Sequence, residues 1–273
     1  MKKFIKILTV LLLVSTIIGC TSNEKKEDEN IITVSATLDP HSTILEFAKP
    51  ILKEKFGYDL EITILDDYFI FNRALDANEV LANYFQHIPF FEGQIAENGY
   101  DIVNVGGVHI EPFGLYSNEI KTISELKEGS TIVIGNTVSD HGRILAIFES
   151  AGLIKLNPEV ETINAVTSDI IENSLNLKFI EIKPELLYTA LSNNEGSIVA
   201  INGNYALANG LNPIEDALLL EEATNDNPYV NIVATKNGNQ DDPRVKALIE
   251  VLTSSEVKEF ITETYGGSVI PVN

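Results

Sequence analysis

Tryptophan is missing from this chain, cysteine and methionine occur once each, and 40 aspartates and glutamates outnumber 19 lysines and arginines among its 273 residues. A single cysteine excludes an internal disulfide, so a packed core has to supply the stability. The formal net charge of −21, with no basic run past Lys26, argues against nucleic acid or anionic lipid as a partner, because phosphate binding draws on clustered Lys and Arg. The excess acid reads as a solvated surface. Catalytic signatures are missing too: no G-x-S-x-G, H-E-x-x-H or Cys/His cluster occurs. His41, His87, His109 and His141 are scattered without metal-ligand spacing. Gly106 with Gly107, and Gly266 with Gly267, lack the spacing and following lysine of a phosphate loop. Adjacent acids such as Asp66 with Asp67 and Glu221 with Glu222 read as solvated turns rather than carboxylate dyads. The expectation is a protein that is not an enzyme and needs no cofactor or metal.

One long apolar run is present, Ile7 to Ile18, preceded by Lys2, Lys3 and Lys6 and followed by Gly19 and Cys20. About twelve residues fall short of the roughly twenty that a helix needs to cross a hydrocarbon core. Residues 1–19 are therefore expected to be a cleaved signal peptide. Ile17, Ile18, Gly19 and Cys20 resemble the bacterial lipobox, although the two isoleucines fit it loosely. That resemblance implies that Cys20 is lipidated as the mature first residue, on the extracytoplasmic face of the cell membrane. Thr21 to Asn30 holds no apolar residue, so residues 20–30 read as a flexible tether. Loss of the leader removes three lysines and no acid, moving the charge from −21 to −24. The remainder is long enough for one large or two modest domains with real cores.

From Ile31 onward, short β-branched runs alternate with helical patterns, which predicts an α/β fold with largely parallel sheets. Strands are expected near Ile31 to Ala36, Leu60 to Ile64, Ile102 to Val105, Thr131 to Ile134, Phe179 to Ile182, Ser197 to Asn202, Ala217 to Leu220 and Val230 to Thr235. Ser42 is placed to cap a helix with the apolar face Ile44, Leu45, Ala48, Leu52 and Phe56, closed by Gly57 and kinked at Pro50. A second helix follows Gly142 and ends near Gly152. Two more are predicted over Pro243 to Leu252 and Ser255 to Tyr265. The pattern alone does not place a boundary between lobes.

The run Asn83, Tyr84, Phe85, Gln86, His87, Ile88, Pro89, Phe90, Phe91 fits neither helix nor strand periodicity, and its chemistry suits a binding surface and a core patch equally. Other stretches accompany it from end to end: Asp67, Tyr68 and Asn72; Glu111, Pro112, Gly114, Tyr116 and Ser117; Gly142 and Arg143; Ala151 to Leu156; Ile201 to Ala206; Asn227 to Asn231. With these residues in order, the chain resembles the NlpA/MetQ family of lipoproteins, the methionine-binding components of ABC importers.

The resemblance implies two α/β lobes of the periplasmic-binding-protein kind (type II-like), which are joined by two crossing strands and close over ligand. Lobe 1 would span 31–112 plus 229–273, and lobe 2 would span 113–228. The expected partners are methionine, an ABC permease with its ATPase, and the membrane through the lipid anchor. The family's ligand positions fall on Tyr68, Phe85, His87, Phe90, Arg143, Asn202 and Asn231. Arg143 suits a carboxylate, which a guanidinium meets with two charge-assisted hydrogen bonds. Asn202 and Asn231 offer a donor and an acceptor each, although either amide can instead cap a strand end. Tyr68, Phe85 and Phe90 suit a thioether, and His87 can close the rim. Phe90 stands where the family usually has Tyr, and Val138, Ser139, Asp140 and His141 depart from the family's wording before Arg143. Another amino acid, D-methionine or a methionine dipeptide are the alternatives within this reading. A surface adhesin is the alternative outside it.

Overall fold

In a computed structural model, residues 29–222 and 227–272 are described; the leader, Cys20 and nearly all of the tether lie outside them. Two sheets form the frame. The first contains β1 (Ile31–Ala36), β2 (Asp59–Ile64), β3 (Ala82–His87), β4 (Ile102–Ile110), β12 (Val230–Lys236) and β13 (Ile270–Pro271), in the order β13-β4-β12-β3-β1-β2. The second contains β5 (Gly114–Tyr116), β6 (Thr131–Gly135), β9 (Lys178–Ile182), β10 (Ile198–Ile201) and β11 (Leu219–Leu220), in the order β11-β5-β10-β6-β9. Strands β7 (Lys155–Leu156) and β8 (Ile170–Glu172) pair separately.

All eight expected strands exist. Pairing is parallel along β2-β1-β3 and β10-β6-β9, and antiparallel wherever β12 or β5 joins its sheet. Beyond the short β5, β7, β8 and β13, the strand missed is β3. It lies between β1 and β12, and all six of its residues are buried. A strand covered on both faces carries no alternation for a periodicity to reveal. Its polar residues are buried because they satisfy one another. The Asn72 amide nitrogen donates to Gln86 Oε1 at 2.8 Å, while Asn72 Oδ1 accepts from Asn83 at 2.9 Å and from Gln86 at 2.8 Å.

The helices are α1 (Thr43–Phe56), α2 (Tyr68–Asp76), α3 (Ile88–Asn98), α4 (Val138–Ser150), α5 (Leu187–Ser192), α6 (Gly203–Ala208), α7 (Pro213–Asp216), α8 (Pro243–Leu252) and α9 (Ser255–Tyr265). Helix α1 buries Ile44, Leu45, Ala48 and Leu52 against the first sheet, runs through Pro50 and stops at Gly57, whose φ of 78° is left-handed. Ser42 does not cap it. A preceding helical turn puts Ser42 in helical dihedrals, and its hydroxyl donates back to the Leu38 carbonyl. Helices α8 and α9 match their expected bounds, capped by Asp242 and Ser254. Helix α4 begins at Val138, earlier than expected, so Arg143 lies inside a helix rather than in the loop before one. Each sheet has its own apolar core, one around Ile32, Leu45, Tyr84 and Leu248, the other around Phe113, Ile132, Leu145 and Phe148.

Candidate functional site

A third apolar cluster lies where the two halves meet, and Tyr68, Phe71, Phe85 and Phe90 from the first meet Tyr205 and Ile201 from the second. Local sequence explains how each ring arrives. Asp67 caps α2, its carboxylate accepting from Phe69 N at 2.9 Å, which presents Tyr68 from the first turn. His87 ends β3 and caps α3 through Nδ1, which accepts from Phe90 N at 3.1 Å. Pro89 opens that helix, where a missing N–H costs nothing. Phe85 stacks on Phe71 with centroids 4.0 Å apart, and the Phe85 and Phe90 rings meet edge to face at 5.8 Å.

Tyr68, Phe85, Gln86, His87, Phe90, Asp140, Asn202 and Asn231 line a small cavity between the halves. Six of the seven expected ligand positions therefore converge. Gln86 and Asp140 were not expected. The enclosed volume is about 10 Å³, on the order of a single water. Because His87 Nδ1 accepts at the helix cap, Nε2 carries the proton and donates to Asp140 Oδ1 at 2.9 Å, a bond from one half to the other. Burial pushes the Asp140 carboxyl upward, but His87 and Arg143 beside it outweigh that and hold it below its ordinary value.

Arg143 is the exception among the expected residues. Its side chain is buried, yet it does not line that cavity. Nε donates to Glu221 Oε2 at 3.0 Å, Nη2 donates to the same carboxylate and to the Glu111 carbonyl at 2.6 Å, and Nη1 lies 3.8 Å from Asp140. The guanidinium also lies over the Tyr229 and Phe113 rings, 4.3 and 5.2 Å from their centroids. Burial opposes its charge, but Glu221 and Asp140 more than offset this. Glu221 is thus a partly buried counter-ion rather than a solvated turn residue, and it also accepts from Phe113 N at 3.0 Å. Gly142 is required here because a Cβ would lie 2.1 Å from the Thr162 carbonyl oxygen.

Behind the cavity lies a buried network that sequence spacing did not reveal. His41, His109 and Glu111 converge, with their ligand-type atoms within 4.8 Å of one another. Burial lowers His41 to about 4 and His109 to about 3, and it raises Glu111 despite the opposing pull of His41. The only available signal was the alternation that puts His109 and Glu111 on one side of an extended segment.

Residues 32–273 match the NlpA lipoprotein family. The chain belongs to that family. A methionine-binding lipoprotein MetQ from Bacillus subtilis is 46% identical over 275 residues, covering 100% of both chains. Among solved structures, a nutrient binding protein from Burkholderia cenocepacia bound to methionine superposes with a TM-score of 0.82 at 36% identity, covering 88% of this chain and 99% of that one. The methionine binding protein MetQ superposes at 0.85 with 32% identity, covering 89% and 98%. This member of the NlpA family therefore has the α/β architecture of that group of binding proteins, and it is a lipoprotein by family.

Proposed function

We propose that the chain is a non-catalytic receptor that takes up methionine, L-methionine first, between its two halves and hands it to a membrane permease driven by an ATPase. In this reading lobe 1 is 31–112 plus 229–273, lobe 2 is 113–228, and lipid on Cys20 holds the protein at the extracytoplasmic face. The observation that carries it is a cavity walled by Tyr68, Phe85 and Phe90 and ended by Asn202, Asn231, His87 and Asp140. An apolar wall suits a thioether chain, and side chains that can both donate and accept suit the ammonium and carboxylate that an amino acid carries on one carbon. The names of the relatives support the same ligand.

At about 10 Å³ the cavity cannot accept an amino acid without opening. The contacts that must part include His87 to Asp140, Tyr68 to Asn204 at 2.5 Å, and Tyr205 to the Asp66 carbonyl at 2.6 Å. The ammonium is assigned to Asn202, and the carboxylate to Asn231 and Arg143. For Arg143 this requires the guanidinium to exchange a carboxylate of Asp140 or Glu221 for that of the ligand. Closure is then favoured by as much as methionine binds the closed form better than the open one. Calorimetric titration of solute-free protein tests the reading: L-methionine gives saturable heat. No heat with L-methionine, D-methionine or methionine dipeptides refutes it.

A further inference from the structure

The amides of Asn202 and Asn231 are symmetric in chemistry, and nothing in an amide by itself decides which end faces a ligand. Their buried neighbours decide it. Glu111 is fully buried where the chain leaves β4 for the second half, and its Oε2 accepts from Asn202 Nδ2 at 3.0 Å and from Asn204 N at 3.1 Å. Asn202 Nδ2 also donates to Asn204 Oδ1 at 2.8 Å. Asn202 Oδ1 is left buried without a hydrogen-bond partner among the described residues. A buried acceptor in that state costs stability until a donor reaches it.

At the other amide the polarity is reversed. His41 Nε2 faces two acceptors, Asn231 Oδ1 at 3.1 Å and Glu111 Oε1 at 3.5 Å, so Nε2 carries the proton. Nδ1 then accepts from the Thr37 hydroxyl at 2.6 Å. His109 repeats the pattern, its Nε2 donating to Glu111 Oε1 at 2.9 Å while Nδ1 accepts from Tyr84. With Oδ1 committed to His41, Asn231 has Nδ2 left to offer the cavity. Gly203 keeps the assembly close, since a Cβ there would lie 2.9 Å from Glu111 Cβ.

Resting on the methionine reading above, we propose that Glu111 and His41 are positioning residues that set the two cleft amides in opposite senses, making Asn202 an acceptor for the ligand ammonium and Asn231 a donor for its carboxylate. Neither touches the ligand. The neutral, fully hydrogen-bonded histidines serve this proton arrangement rather than a metal.

The test measures affinities of the full-length protein for methionine, its desamino analogue and methioninol, which lacks the carboxylate. Glu111→Gln presents an N–H₂ to Asn202 and turns its amide around. The preference for methionine over the desamino analogue then narrows at least tenfold, while affinity for the desamino analogue holds, as expected for one hydrogen bond to a charged group. His41→Leu narrows the preference for methionine over methioninol to a similar degree, and His41→Gln, which keeps a donor at that position, restores it. Thermal melting establishes that each variant is folded. If Glu111→Gln does not fold, the contrast between the two His41 variants decides. Unchanged preferences in folded variants overturn the proposal and leave the methionine reading standing. A wild-type protein that binds none of the three ligands overturns both. A stoichiometric transition metal retained by the purified protein also overturns the proposal, because His41 Nε2 would then bind the ion instead of donating to Asn231.

Discussion

Replacing Arg143 by methionine keeps an unbranched apolar stem and deletes the cation, which leaves the partly buried Glu221 without its ion-pair partner. At 3.0 Å and an effective dielectric of about 20, the pair attracts by about 5 kcal/mol before desolvation is counted. Removing one member of a buried pair costs about 3–5 kcal/mol, because the other charge stays out of water uncompensated. Arg143→Met is therefore expected to lose that much in urea unfolding, with the Glu111 carbonyl and the Tyr229 ring losing their partner as well. Adding Glu221→Leu removes the stranded charge, and the double variant should recover most of the loss, since an apolar replacement of a buried ion pair is often neutral. Both variants should remain silent toward methionine in calorimetry, which separates the structural duty of Arg143 from its duty to the ligand. A single variant that loses less than about 1 kcal/mol, or a double variant no more stable than the single, refutes this reasoning.

Acid should weaken the protein through its buried histidines. Unfolded, His41 and His109 take up protons near pH 6.5, but folded they do so only near 4 and 3, so the unfolded chain binds more protons between those values and stability falls as pH drops through them. Glu111, raised by burial, works in the opposite direction. His41→Gln should lower the slope of unfolding free energy against pH between 6.5 and 4; a slope parallel to the wild type's counts against the assignment. Gly142→Ala should cost about 1–3 kcal/mol or more, read as a lower melting temperature, because Thr162 backbone rather than a flexible side chain blocks the new Cβ. Gly93→Ala, on the exposed face of α3 with no neighbour within 4 Å of a built Cβ, should stabilise by about 0.5–1 kcal/mol in the same melt.

The legibility of this chain follows burial. Helices α8 and α9 announce themselves because one face is apolar and the caps are local, so a few adjacent residues fix their ends. Strand β3 is opaque for the opposite reason: Asn83 and Gln86 are buried by partners on another element, and no neighbour in sequence signals that. The same holds at the site. Tyr68, Phe85, His87, Phe90, Asn202 and Asn231 were reached through resemblance, and the cavity joins them. Asp140, Glu111 and His41 were not read as site residues, because their roles depend on groups brought up from 53 to 190 positions away. Arg143 is reached through the same resemblance and suits a carboxylate by its chemistry, but its engagement with Glu221 depends on β11 passing beside α4, which no local pattern encodes.

Strand β12 lies between β3 and β4, and β13 flanks β4 on the far side. The middle of the first sheet is therefore filled by residues made late, after every other strand of that sheet but β13. As the polypeptide emerges from the ribosome, β3 and β4 have no common neighbour until Lys236 is out, whereas every strand of the second sheet is already available by Leu220. Assembly order is thereby reversed relative to synthesis: the later-starting half completes itself first, and a product truncated before Val230 retains that half with an unfinished companion.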